Sequence, residues 1–335
     1  MGDGVFAESD FAWIREWGFD FVRIPMSYLY FVAGPDGRSI DERRLKLIDA
    51  AVEYGRKHDV HVSLNFHRAP GYCVTSYPFD TPEPGNLFAD EKSLELFTRY
   101  WSTLAERYAG IPSTQLSFDL VNEPPFLTDT VTMNDFDRVY GTTLDAIHSA
   151  DADRLVILEG PDASMSLLPP SLTHRPNVAL STHYSYTPLQ ISHHRCPWVP
   201  DFFYDQADPA WPYDQAGLDA DSPYRDLIDR LGLGGTVRWD RDALAKQFAP
   251  WLQLADDGVL VHFGEAGAYR ETPHAVFLAW LDDLFGVLQD HGIGWALWNF
   301  RGPFGVLDSG RSDVAYEDWH GHALDRELLT LLQRR

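Results

Sequence analysis

The chain is poor in cysteine and in positive charge, and it has no long apolar run. Its 335 residues include two cysteines, Cys73 and Cys196. That is too few for a disulfide framework or a zinc ribbon, although a single bridge between them stays open. Lysine and arginine total 27 against 50 aspartates and glutamates, a formal charge of −23. Nucleic acid and anionic membrane surfaces would be repelled, so a neutral substrate is the better match. No stretch approaches the roughly 18 apolar residues that a membrane-spanning helix needs. The opening MGDGVFAESD has neither a basic start nor an apolar core, so it does not read as a signal peptide. As written, the product is expected in the cytoplasm, and a true start further upstream would open secretion.

Aromatic residues are abundant, with 11 Trp, 15 Tyr and 20 Phe. Most such rings belong to a core, but exposed ones suit the apolar faces of sugars. Short apolar runs alternate with amphipathic stretches. Strands are expected at residues 21–25, 61–67, 116–124, 154–160, 178–184, 260–267 and 295–300. Helices are expected near 7–17, 41–57, 90–109, 133–149, 241–255, 273–291 and 321–333. The strand runs are apolar nearly throughout, which fits a parallel sheet covered on both faces. In 41–57, Leu45, Leu47, Ile48, Ala51 and Tyr54 form the inward stripe, leaving Glu42, Arg43, Lys46 and Asp49 for water.

This alternation predicts an α/β fold, the (β/α)8 TIM barrel, in a single domain over residues 1–335. Residues 67–89 and the much longer 185–240 are irregular and rich in Pro, Asp and aromatics. Both follow strands, and in a barrel such segments gather at the C-terminal face where active sites sit, so 185–240 is expected as a long insertion over that face. Eight strands close this barrel and seven are found, with the helix ESDFAWIREWG ahead of the first. Either the barrel is incomplete or the true start lies upstream; the second is the expectation, with partial packing of MGDGVF into the gap as the alternative.

Two of the apolar runs end in a glutamate: Asn122-Glu123-Pro124 follows LSFDLV, and Gly264-Glu265-Ala266 follows LVHF. Retaining glycosidases need one protonated carboxyl for the leaving oxygen and one carboxylate to attack the sugar, about 5–5.5 Å apart. Only a barrel-like return of the chain makes neighbours of residues so distant in sequence. From GFDFVRIP through LNFHRAPGY, FDLVNEP, STHYSY and VHFGEAG to WALWNF, the chain resembles glycoside hydrolase family 5, the cellulase and mannanase family. Six motifs stand in the family's order, and the resemblance spans essentially the whole chain.

The resemblance implies Glu123 as acid/base and Glu265 as nucleophile, with Asn122 reading the sugar 2-hydroxyl. It implies Arg23 as the cation that keeps the nucleophile ionised, His67 and His183 as lining of the cleaved subsite, and Trp298 as its floor. The family's acid/base follows its fourth strand and its nucleophile its seventh. Here they end the third and sixth detectable strands, the offset that a lost first strand would produce. The family's nucleophile-binding tyrosine is replaced by serine at its usual spacing in His183-Tyr184-Ser185-Tyr186. Tyr186, re-aimed by a one-residue bulge, is the choice, with Tyr184 close behind.

The expected activity is cleavage of β-glucan or β-mannan linkages, or of a small β-glycoside, by double displacement, without a cofactor and as a monomer. Its partner is an oligo- or polysaccharide. A catalytically inactive sugar-binding barrel is the competing reading. His193, His194 and Cys196 in HHRC invite a metal, but no second ligand pair accompanies them; His320 and His322 read as loop histidines. Trp198, Trp211, Trp239, Phe202, Phe203 and Tyr204 are either a local core or a sugar platform. Arg301, Asp308 and Asp313 either bind a second sugar or order their loop.

Overall fold

The structure is a computed structural model that describes residues 6–34, 36–74, 83–199, 207–215 and 238–335. The chain divides into two compact units, residues 6–181, and residues 182–335 together with 1–5.

In the first unit the strands β1 (Phe21–Ser27), β2 (His61–Ala69), β3 (Leu116–Asp119), β4 (Leu155–Glu159) and β5 (Val178–Thr182, whose last residue opens the second unit) pair in chain order. All pairings are parallel, with Phe21 opposite His61, Val62 opposite Leu116, Ser117 opposite Leu155 and Val156 opposite Val178. Parallel neighbours require crossovers. Helix α1 (Glu8–Glu16) precedes β1, α2 (Glu42–His58) links β1 to β2, α3 (Glu91–Arg107) links β2 to β3, and α4 (Met133–Ala150) links β3 to β4. Side chains fix where these helices begin. Asp41 accepts from Arg43 N, Asp90 from Lys92 N and Ser93 N, and Thr132 forms a capping box with Asp135, each satisfying amides that the first turn leaves open.

Strands β2 to β5 are almost wholly buried, whereas β1 is half-buried with Pro25 exposed. A proline donates no ladder hydrogen bond, so it is tolerated where a strand is not fully enclosed. Helix α2 corrects one expectation. Leu45, Ile48 and Ala51 are buried, but Leu47 is 53% exposed. It lies two residues from Leu45, which puts it on the opposite side of the helix.

In the second unit β6 (Val261–Ala266) pairs in parallel with β7 (Gly294–Leu297), and α5 (Arg241–Asp256), α6 (His274–Asp290) and α7 (Arg326–Gln333) accompany them. The last helix starts five residues later than the sequence suggests. Glu317–Trp319 and His322–Leu324 pair as an antiparallel ribbon, and Asp325 then caps α7 by accepting from Leu328 N at 3.0 Å. A second ribbon pairs Tyr213–Asp214 with Arg238–Trp239, so part of the 185–240 segment is ordered on itself. Residues 200–206 and 216–237 of that segment, and with them Phe202, Phe203 and Tyr204, lie outside the described residues, as do 1–5 and 75–82. Among the described residues the main parallel strands number seven, and no helix is long and apolar enough to cross a membrane.

Candidate active site

Strand β3 ends at Asp119, not at residue 124 as the apolar run suggests. Beyond it the chain still leans on its neighbours, with Leu120 N donating to Ile157 O at 3.2 Å and Asn122 N to Phe66 O at 3.0 Å. At Glu123 the chain leaves the extended conformation with φ +44°, a left-handed value that costs a non-glycine residue on the order of 1–3 kcal/mol and persists only when its surroundings enforce it. Two side chains enforce it. Glu159, the last residue of β4, accepts the Glu123 amide on Oε2 at 2.7 Å, and the Tyr72 hydroxyl donates to the Glu123 carbonyl. Burial pushes the Glu123 carboxyl up to about 7, against the opposing charge of Arg23. Loss of hydration disfavours the anion, which is what a group that must carry a proton near neutrality needs.

Arg23, from β1, is only 5% exposed in its side chain. Its Nε donates to Asp119 Oδ2 at 2.5 Å, and its Nη2 donates to Glu159 Oε1 and to Asn122 Oδ1, each at 2.8 Å. The guanidinium thus orients the Asn122 amide while neutralising buried carboxylates that would be costly alone. A clamp beside it holds the loop that carries Tyr72. Glu83 accepts from Arg68 Nε at 2.6 Å, from the Tyr28 hydroxyl at 2.5 Å and from Gly71 N at 3.4 Å. His67 is half-buried near the end of β2, and its carbonyl accepts the Cys73 thiol at 3.8 Å.

In the second unit Glu265 is 5% exposed near the end of β6. The Tyr186 hydroxyl donates to its Oε2 at 3.0 Å, His183 Nδ1 stands 3.8 Å from the same oxygen, and the Ser185 hydroxyl donates to its carbonyl. Tyr184 turns away and takes the Gln247 amide. A 3-10 turn over Tyr184–Tyr186 produces this arrangement, in place of the expected bulge. A 3-10 turn advances a third of a circle per residue, so Tyr184 and Tyr186 face different ways and Ser185 sits beneath the strand end.

Trp298 follows β7, is half-buried and packs against a cluster of Tyr186, Cys196, Tyr269 and Phe304. Its amide donates to Ala266 O at 2.7 Å. Gly267 makes that approach possible, since a Cβ there would sit 2.4 Å from the Trp298 carbonyl oxygen.

Both cysteines are free, so the bridge left open between them does not form. The HHRC residues diverge. His193 packs edge-on against Tyr186 with burial pushing its imidazole down to about 4, His194 faces Asp208 at 3.3 Å, and Cys196 lies within the aromatic cluster. Trp239 is fully buried and Trp211 donates to Asp283 at 2.8 Å, but Trp198 is 39% exposed over Tyr269 and Phe304. Asp308 accepts from Ala323 N and faces His322 at 2.7 Å, and Asp313 accepts the first amide of α6; both order their loops. The Arg301 guanidinium lies over the Phe300 ring.

Sequence reasoning passed over Asp119, Glu159 and Tyr72. For Glu159 a signal was available: the run RLVILEG also ends in a glutamate, just as the runs before Glu123 and Glu265 do.

Residues 4–302 match the family model described as Cellulase (glycosyl hydrolase family 5). A crystal structure of a glycoside hydrolase superposes with TM-score 0.84 at 32% identity, over 98% of this chain and 92% of that one. Thermotoga maritima Cel5A in complex with cellobiose shares the fold, with TM-score 0.70 at 22% identity over 98% and 90% of the two chains. Endoglucanase C of Acetivibrio thermocellus is 23% identical over 343 residues, covering 99% of this chain and 92% of the relative. Cellodextrinase A of Ruminococcus flavefaciens is 30% identical over 202 residues, or 59% and 56% of the two chains. The fold is accordingly the (β/α)8 barrel class.

Proposed function

This chain belongs to the cellulase family, glycosyl hydrolase family 5, and we propose that it cleaves β-linked glucan chains with retention of configuration. Membership makes it a glycoside hydrolase; the residue roles and the substrate are our reading. Residues 1–335 act in it as one catalytic domain. Glu265 attacks the anomeric carbon while Glu123 gives its proton to the leaving oxygen. Glu123, now a base, then takes a proton from water, and that water displaces Glu265 from the sugar. The reaction requires the two carboxyls about 5–5.5 Å apart and no resident cofactor.

The observation that carries this reading is the contrast between the two carboxyls. Burial raises Glu123 to about 7, suiting proton transfer, whereas Glu265 Oε2 accepts a hydrogen bond from the Tyr186 hydroxyl, which favours its charged form. Arg23 supports the glycone side by aiming Asn122 at a sugar hydroxyl. The names endoglucanase and cellodextrinase among the relatives favour a β-glucan, although Thermotoga maritima Cel5A was solved with mannotriose as well as with cellobiose. Trp198, exposed over an aromatic bed, offers a flat apolar face for a further sugar of the chain.

A panel of aryl β-glucosides, aryl β-mannosides and the corresponding oligosaccharides tests the substrate class; turnover of mannosides alone would overturn the glucan assignment. Glu265→Ala supplied with azide tests the roles. An α-glycosyl azide formed from a β-substrate supports Glu265 as nucleophile, and a β-glycosyl azide would reassign it as the acid/base.

A further inference from the structure

We propose that Glu159 is a positioning residue for proton transfer, one that sets the backbone of Glu123 and, through Arg23, the amide of Asn122. The inference rests on the acid/base reading of Glu123. Glu159 closes β4 with its side chain fully buried, and its own carbonyl is held by the Tyr140 hydroxyl at 2.7 Å. One carboxylate oxygen takes the Glu123 amide at 2.7 Å, and the other takes Arg23 Nη2 at 2.8 Å, the nitrogen that also reaches Asn122 Oδ1. An ion pair would by itself be a structural feature of the core. The hydrogen bond to the amide goes further, because it falls on the residue whose φ of +44° needs enforcement.

A carboxylate suits this position for a chemical reason. Two donors, a backbone amide and a guanidinium, approach it from different sides, and it offers an acceptor oxygen to each without presenting a donor of its own. A glutamine would turn an NH2 towards one of them. Without the hydrogen bond from Glu159, the Glu123 backbone is enforced by one partner fewer, and the peptide can relax towards negative φ, swinging the carboxyl off the leaving oxygen. The nucleophile would be unaffected by such a swing. The signature of Glu159 is therefore a defect confined to protonation of the leaving group.

Glu159→Gln and Glu159→Asp in the full chain, assayed on aryl β-glycosides of graded leaving-group acidity, test this. Aspartate keeps the charge facing Arg23 but withdraws from the Glu123 amide, so misfolding of one variant does not decide the matter. The expected result is that kcat/KM for phenyl-type leaving groups falls at least about tenfold more than for dinitrophenyl ones, part of the 10²–10⁴-fold that acid catalysis supplies. The alkaline limb of the pH profile, expected near 7 in the wild type from the raised Glu123 carboxyl, should move with it. Equal loss across the series, an unmoved alkaline limb, or wild-type kinetics in both variants overturns the proposal. A steep leaving-group dependence already present in the wild type would instead strike the acid/base reading of Glu123, so the two failures are distinguishable.

Discussion

Glu123 and Glu265 share a hydroxyl on the backbone carbonyl but differ in their other anchors. At Glu123 the described anchors grip the backbone, Tyr72 on the carbonyl and Glu159 on the amide, and burial raises the carboxyl to about 7. At Glu265 an anchor grips the carboxylate itself, through the Tyr186 hydroxyl on Oε2, with Ser185 on the carbonyl. The difference follows from what each group must do. A group that gives and retakes a proton needs a raised proton affinity, which burial supplies at Glu123. A nucleophile must stay an anion, so a donor on its oxygen helps.

The largest expected effect that sharpens this contrast is at Glu123. Glu123→Gln should lower kcat/KM on unactivated β-glucans by about 10²–10⁴-fold and abolish the alkaline limb near pH 7. The stability consequence has a definite sign. The folded carboxyl is raised from 4.5 to about 7, so the folded state binds the proton more tightly, and stability is lost as pH rises from about 4.5 through about 7. Thermal melts across that window should show the wild type falling relative to Glu123→Gln; parallel curves would refute the raised carboxyl.

Tyr186→Phe should come next. A hydrogen bond to a charged group contributes about 1.5–3 kcal/mol, so kcat is expected to drop roughly 10- to 150-fold. Tyr184→Phe is the control that can break the comparison. Its hydroxyl serves Gln247, so a stability loss of about 1 kcal/mol with kcat nearly kept is expected, and an equal loss of kcat would dissolve the distinction.

Gly267→Ala should act through position. A Cβ would lie 2.4 Å from the Trp298 oxygen, and relief of that clash costs about 1–3 kcal/mol, read as a lower Tm and a higher KM as Trp298 shifts. The smallest effect is Trp198→Ala, about 0.5–1.5 kcal/mol of lost stacking, visible as a raised KM for oligosaccharides and little change for a one-sugar aryl glycoside. Equal KM changes on both would remove Trp198 as a sugar platform.

Much of this was legible because periodicity is local. The strand centres and helix bodies follow from runs of apolar residues, and the two glutamates are legible because they end such runs, as Glu159 also does. Boundaries are less legible wherever a side chain from elsewhere intervenes. The third strand stops at Asp119, and side chains from elsewhere, Glu159 and Tyr72, hold the chain beyond it at Glu123. The last helix waits for Asp325 because residues 317–324 pair as a ribbon. Leu47 leaves the inward stripe because two residues of helix turn it away from Leu45.

The order of strands and helices, the pair of glutamates and the family to which they point were determined by the sequence alone, since each is written in residues adjacent in the chain. The tertiary structure decided what those residues feel. Asp119 and Glu159 look like interruptions of apolar strands until folding brings Arg23 between them. Tyr184 and Tyr186 are only narrowly separated on paper until a 3-10 turn gives Tyr186 to Glu265. The reason is physical: hydrogen-bond geometry and loss of hydration depend on which groups meet across long separations in the chain, and spacing in the sequence does not encode them.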